Sequence, residues 1–272
     1  MVMVMYPSVK LTFNQVHSAS LCSCSFELQV GSSAPPQGPV SQVVWVPLVM
    51  QVLIRPYRPS DKDAVLTLFS NGILEHIRPC FYNAMTSPLY IAITLALCVP
   101  GYLLDSMLGA VVLPGAWVGL IYYCCHELYA GYVREKLQTD MQDIPGNYMS
   151  RPDDCFWVAE AEVDGRAQIM GTVAVVAKQS GKERHGELFR MITSSSYRRL
   201  GLGSKLTQTV VDFCKERGFS KVVLETSSTQ TAGVALYKKL GFRHFRSHTK
   251  THSAHWKVKL TGVTILLMEK HL

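Results

Sequence analysis

Charge is scarce in this sequence and almost absent from one long stretch. Only 17% of the 272 residues are Asp, Glu, Lys or Arg, and 48% are hydrophobic. That balance excludes a solvating disordered chain. Eight cysteines are too few and too scattered for a small disulfide-stapled scaffold. Apolar runs of spanning length cover too little of the chain for a many-pass transporter. No basic stretch followed by an apolar run opens it, so its start reads as a poor signal peptide. Residues 1–49 carry one lysine, Lys10, and one glutamate, Glu27, and pass through Ser32-Ser33-Ala34-Pro35-Pro36. They are expected to form a flexible extension with no fold of its own. Met50 reads as the start of the biological chain, and residues 50–272 as one domain.

What is present divides into an apolar insert and an alternating remainder. Between Arg78 and Glu127 the one charged residue is Asp105. The runs Pro88–Leu104 and Met107–Cys125 are each near the roughly 17–25 residues of a spanning helix, with Asp105-Ser106 as a polar tip. Pro100 and Pro114 are expected to kink them. Basic residues lie on both flanks, Arg55, Arg58, Lys62 and Arg78 before and Arg134 and Lys136 after. The positive-inside argument then makes residues 88–125 a membrane-associated hairpin whose two ends face the cytosol.

Outside the insert, strands and helices alternate. Val52–Pro56 reads as an edge strand closed by proline, and Ser60-Asp61 opens a helix. His126–Asp140 has helical spacing, which Ile144-Pro145-Gly146-Asn147 breaks. Cys155–Ala159 and Gln168–Val176 form a hairpin about Asp164-Gly165, and Glu187–Thr193 is a third strand. Gly203–Arg217 is an amphipathic helix capped by Gly218. Lys221–Glu225 is a strand, Val234–Leu240 a helix stopped by Gly241, and Phe242–Phe245 and Val263–Glu269 are the last strands. The fold class is α/β. His244, His248, His252 and His255 fall in a stretch that reads as strand and basic loop, so no metal is expected. The net charge of +7 comes without an interleaved basic and aromatic stripe, so no nucleic-acid partner is expected either.

The informative motif joins a strand to a helix: Tyr197-Arg198-Arg199-Leu200-Gly201-Leu202-Gly203-Ser204. It is neither a Walker loop nor a dinucleotide fingerprint. Its glycines allow positive φ and close backbone approach, and its amides with the helix N-terminus suit a pyrophosphate. In its Arg-x-x-Gly-x-Gly form, followed by Val222–Glu225 and Leu236-Tyr237-Lys238-Lys239-Leu240-Gly241-Phe242, it resembles the acetyl-CoA loop of the GCN5-related N-acetyltransferase superfamily (GNAT). Arg55-Pro56-Tyr57-Arg58 with Asp61, the apolar hairpin after the first helix, Thr139–Ile144, Cys155–Glu160 and Val223–Thr226 resemble its camello-like branch, from about Met50 onward.

That resemblance implies a mixed central sheet flanked by helices and an acetyl-CoA-dependent N-acetyltransferase. Direct attack by a primary amine is expected, from a cysteine S-conjugate or from a protein lysine or N-terminal amine. Glu187, on the strand before the turn, stands where the superfamily has its base; His185 and Glu225 are the alternatives. Tyr237 matches its general acid. The backbone at Met191, Ile192 and Thr193 is expected to hold the acyl and pantetheine groups. Arg198, Arg199, Leu200, Gly201, Leu202, Gly203 and Ser204 are expected to hold the pyrophosphate. Gln230 replaces an asparagine that reaches the pantetheine arm. The branch also implies the endoplasmic-reticulum membrane; a full hairpin there puts the catalytic domain in the cytosol, the expected side, whereas a single pass would put it in the lumen. A non-catalytic, membrane-anchored CoA-binding protein is the competing reading.

Overall fold

A computed structural model describes residues 51–103, 107–163, 165–181 and 183–272. The expected extension 1–49, the start at Met50, the tip Asp105-Ser106 and Asp164 of the first hairpin lie outside the described residues. Seven strands form one mixed sheet: β1 Val52–Pro56, β2 Cys155–Val163, β3 Arg166–Ser180, β4 Glu183–Thr193, β5 Lys221–Ser227, β6 Arg243–His248 and β7 Ile265–His271, in the order β1-β2-β3-β4-β5-β7-β6. All pairs are antiparallel except β4 with β5. A parallel pair needs a crossover, and the helix α6, Leu202–Glu216, supplies it. The helices before it are α1 Lys62–Leu74, α2 Ile77–Met85, α3 Pro88–Leu103, α4 Met107–Gln138 and α5 Ile144–Tyr148; those after it are α7 Thr231–Lys239 and α8 His255–Thr261.

Both faces of the sheet are covered, and the side-chain alternation shows how. Val173 and Val175 of β3, Leu188 of β4 and Leu224 of β5 meet Leu206, Val210 and Cys214 of α6. Ala174 and Val176 of β3, together with Ile192, meet Val65 and Phe69 of α1 and Leu128 and Tyr129 of α4. Gly186 lies where α6 crosses β4. A Cβ there would stand 2.5 Å from Cys214 Sγ and 3.0 Å from Val175 Cγ2. Gly186→Ala is therefore expected to cost about 1–3 kcal/mol by overpacking, read as a lowered midpoint of thermal unfolding.

The Arg55-to-Asp61 motif has a structural use. Arg55, 8% exposed, donates to both carboxylate oxygens of Asp61 at 2.7 and 2.9 Å and also to Glu160. It ties β1, β2 and the start of α1 together.

Several boundaries differ from expectation. α4 begins at Met107 and runs unbroken through His126 to Gln138, because one face of its second half is buried in the domain. Helix α3 includes Pro100 and α4 includes Pro114. The Ile144 segment is itself a one-turn helix: the Asp143 side chain accepts from Gly146 N at 3.0 Å, and Pro145 sits in the first turn. The stretch read as basic loop contains α8, which packs Val258 and Thr261 inward and ends at Gly262 with φ +65°. α2 was not foreseen at all.

Candidate functional site

The parallel ladder between β4 and β5 stops at Leu188 paired with Leu224. Beyond it β4 continues to Thr193 and β5 to Ser227, and the two strands part. The cause is on the other side of β4. Its register against β3 shifts between Thr172 and Ala174, and Arg190 there has φ +51°. An irregularity of this kind bends a strand and re-aims its side chains. The gap opens a cavity of about 420 Å³, lined by residues 188–192 of β4, residues 225–227 of β5, Gln230 and Tyr237, and by Phe69, Tyr129 and Tyr132 from the helical face. Along this edge β4 has lost its strand partner, so its backbone polar groups need others.

The glycine-rich turn lies outside the cavity lining but packs against Met191, one of the wall residues. Gly201 has φ +75° and is the N-cap of α6, with no side chain capping the helix. Arg199 also has positive φ, +65°. Alternating left-handed residues aim successive amides inward, and the first-turn amides of Leu202, Gly203 and Ser204 have no intrahelical acceptor. A Cβ on Gly203 would come within 3.0 Å of Leu236 Cδ2 and 3.3 Å of Met191 Cε, so the turn, α7 and the end of β4 are in close contact. This uncapped, tightly packed cradle fits a pyrophosphate and the extended arm attached to it. Arg198 pairs with Glu75 at the end of α1 and donates to Thr193 O at 3.3 Å.

The structure gathers Met191, Ile192, Gln230 and Tyr237 on the cavity wall. It sets Arg198, Arg199, Leu200, Gly201, Leu202, Gly203 and Ser204 in the turn and the start of α6, and Thr193 at the end of β4. Tyr237 is 7% exposed and its ring meets Phe242 edge-on at 5.7 Å. Burial pushes its phenol well above the ordinary tyrosine value. The Gln230 side-chain oxygen accepts from Thr226 Oγ1 at 2.9 Å and from Ser227 N at 3.4 Å. Its carboxamide is thereby held at the entrance to α7.

Glu187 is not part of the cavity wall; Glu225 is. Glu187 sits in the last paired stretch, opposite Val223 of β5 and Val176 of β3, one residue before the strands part. Burial pushes its carboxyl above the ordinary glutamate value; Lys178 opposes the rise and Glu225 adds to it. Glu225 itself lies 3.4 Å from His248 Nε2. His185 is opposite Lys178 and Lys221, away from the cavity wall. Burial and those two lysines hold its imidazole below the ordinary value.

Other residues at the cavity were not foreseen. Arg190 donates to Asp140 Oδ2 and to Tyr148 at 2.8 Å each and to Tyr132 at 2.5 Å, above the Phe69 ring at 5.5 Å. Tyr129, Ser227 and Thr229 form a hydroxyl cluster, with Tyr129 Oη 3.2 Å from Ser227 Oγ and Ser227 Oγ 2.8 Å from Thr229 Oγ1. The four histidines do not converge: His252 packs at a tilt against the Tyr132 ring while His248 faces Glu225. Among the described residues, no three His, Cys, Asp or Glu side chains are grouped to hold a metal ion.

Comparison with known proteins gives the family. The model of the acetyltransferase (GNAT) family matches residues 122–242. The chain is 35% identical over 203 residues to "Probable N-acetyltransferase camello" of Xenopus tropicalis, covering 72% of this chain and 87% of that protein. It is 32% identical over 198 residues to N-acetyltransferase 8B of Homo sapiens, covering 70% and 83%. With N-acetylaspartate synthetase of Homo sapiens it shares 33% over 223 residues, covering 80% and 69%.

Proposed function

The chain belongs to the GNAT acetyltransferase family and is an N-acetyltransferase, and on that premise we propose that Glu187 and Tyr237 serve direct acetyl transfer to a primary amine. The cleft where β4 and β5 part, with the uncapped start of α6 packed against its wall residue Met191, carries this reading. The family's fold binds acetyl-CoA, which when bound supplies an activated acyl group. The turn from Arg199 to Ser204 holds the pyrophosphate through backbone amides. The freed edge of β4 at Met191 and Ile192 aligns the arm, with the Gln230 carboxamide beside it, and its amides stabilise charge as it develops on the acyl oxygen. Glu187 takes the ammonium proton of the acceptor through water, since it stands behind the cavity wall. Tyr237, kept neutral by burial, returns a proton to the departing thiolate.

The acceptor side favours an amine on an apolar body. Phe69, Leu128, Tyr129, Tyr132 and Val263 line it, which suits a cysteine S-conjugate with a hydrophobic substituent or an extended polypeptide amine. Among the described residues one unbroken helix, Leu108–Gln138, is long and apolar enough to cross a membrane. In our reading residues 88–125 hold the enzyme in the endoplasmic-reticulum membrane with the domain on the cytosolic side, a placement the basic flanks favour.

The test is CoA release from acetyl-CoA by detergent-solubilised protein against S-benzyl-cysteine, aspartate and a lysine peptide. Turnover on S-benzyl-cysteine or on the peptide is expected. Turnover on aspartate alone would overturn the acceptor assignment, and tight acetyl-CoA binding with no turnover on any would overturn the catalytic one. The turn is tested separately. Gly201→Ala puts a Cβ in a left-handed position, at about 1–2 kcal/mol, which bounds the rise in KM for acetyl-CoA at about five- to thirtyfold. An unchanged KM would show that the turn does not hold the cofactor.

A further inference from the structure

The excess positive charge of the chain has one address. Between Glu225 and Glu269 there is no Asp or Glu, but there are seven Lys and Arg, and the other twenty basic side chains balance the twenty carboxylates. Within that segment α8 packs against α2 and α4, at the base of the apolar hairpin. Its Trp256 is 51% exposed, and Tyr122 and Tyr123 of α4 are 48% exposed each. Lys257 Nζ lies 4.8 Å from the Tyr123 ring centre and 5.7 Å from that of Trp256, and donates to Tyr123 Oη at 3.2 Å. Tyr90, at the start of α3, donates to Leu260 O of α8 at 3.1 Å. Half-exposed aromatic rings with lysines among them, at the foot of an apolar element, have the composition of a membrane–water interface.

The helix lengths place that interface. From Ile121 onward α4 is part of the domain core, with Ile121, Cys124, Cys125, Leu128, Tyr129 and Val133 buried. Its outward apolar part, with Leu108, Val111, Val112, Leu113 and Leu120 exposed, is residues 107–120, about 21 Å long. The exposed apolar positions of α3 run from Leu89 to Leu103, about 22 Å. Both fall short of the roughly 30 Å hydrocarbon core. The long helix Leu108–Gln138 thus divides its length between lipid and domain.

We propose that α8, with Tyr122 and Tyr123, forms an interfacial collar that rests in the anionic headgroup layer of a bilayer while the hairpin enters the hydrocarbon without crossing it. Lys257 and Lys259 meet lipid phosphates and carboxylates, and Trp256 and Tyr123 lie at the glycerol level. Tyr132, on the cavity wall, is nine residues along α4 from Tyr123, so the acceptor cavity stands about 13 Å above the headgroups. An acceptor with a lipid-dissolved tail and a free amine would reach it from the membrane plane.

The proposal rests on the membrane attachment stated above, and the experiment separates the two. The full chain is reconstituted in nanodiscs of phosphatidylcholine, with or without phosphatidylserine. Tryptophan emission is quenched by lipids brominated shallowly or deeply and by aqueous iodide. Differences from Trp256→Phe and Trp117→Phe isolate the two residues. Trp117 lies in residues 107–120 of α4, its ring edge-on to Tyr90 at the start of α3 at 5.3 Å, and reports insertion at the foot of the hairpin. Expected are bromine quenching of Trp117, and shallow-bromine quenching of Trp256 that grows with phosphatidylserine and is lost in Lys257→Ala/Lys259→Ala. Trp117 quenched by bromine with Trp256 quenched by iodide alone would sink the collar and leave attachment standing. Neither quenched by bromine would sink both. A Trp256 signal indifferent to phosphatidylserine but shifted by an oligonucleotide would assign the charge to nucleic acid and overturn the proposal.

Discussion

Replacing Glu187 by glutamine is expected to lower kcat/KM by about a hundredfold or more, the range for removing a general base, with little change in KM for acetyl-CoA. The pH dependence follows from its surroundings. A base works ionised, so activity falls as pH drops through its pKa. Burial raises the Glu187 pKa, so the acid limb lies above the ordinary glutamate range and is absent from the variant. Stability moves the other way. A carboxyl with a raised native pKa binds more protons folded than unfolded in the window between the two values, so its ionisation weakens the fold as pH rises through that window. Glu187→Gln is therefore expected to keep or slightly raise the unfolding midpoint at neutral pH. A variant both inactive and less stable would mark a structural carboxylate. Glu225 is the control, since it lines the cavity and Glu187 does not. If Glu225→Gln removes the acid limb and Glu187→Gln leaves it, the base is Glu225.

The contrast between those two residues shows what a single sequence carries. The glycine turn was legible because its physics is local: Gly201, Gly218 and Gly241 all have positive φ, a requirement visible in residue type and spacing. The alternation of strands with the amphipathic α6 was legible for the same reason. The parting of β4 and β5 was not, because it depends on a register shift against β3, which no residue in β4 announces. α8 was read as loop because its inward positions, Val258 and Thr261, are too few to make a periodic signal. Packing against α4 decides it. Arg190 was missed because an arginine in a strand reads as solvated, and its partner Asp140 is fifty residues away. Asp140 did stand in a stretch that resembles the camello-like branch, but resemblance alone assigned it no role.

Asp140→Asn is expected to be the most destabilising polar substitution near the site. The Arg190 side chain is 8% exposed, at a backbone position with φ +51°, and Asp140 is its counter-charge. Asparagine keeps an acceptor oxygen but removes the charge, leaving a buried guanidinium balanced only by Tyr132 and Tyr148. Breaking a buried pair from one side costs about 3–5 kcal/mol. The retained acceptor places this change near the lower bound, or a fall of roughly 6–12 °C in the unfolding midpoint. The acid response gives the sign. Although burial works against ionisation, Arg190 and Tyr148 hold the Asp140 carboxyl below its ordinary value of 3.8. The stabilisation is present above that value and lost as pH falls through the depressed native one. The variant should therefore lose stability at neutral pH and show a flatter decline in acid. Activity should fall as well, because the pair fixes the β4 irregularity that opens the cavity, and Thr172 Oγ1 bonds the Arg190 carbonyl at 2.8 Å. Adding Arg190→Met to Asp140→Asn removes the stranded charge and should recover much of the stability but not the activity. If Asp140→Asn costs under about 1 kcal/mol, the pair is as weak as an exposed one and cannot be what holds the strands apart.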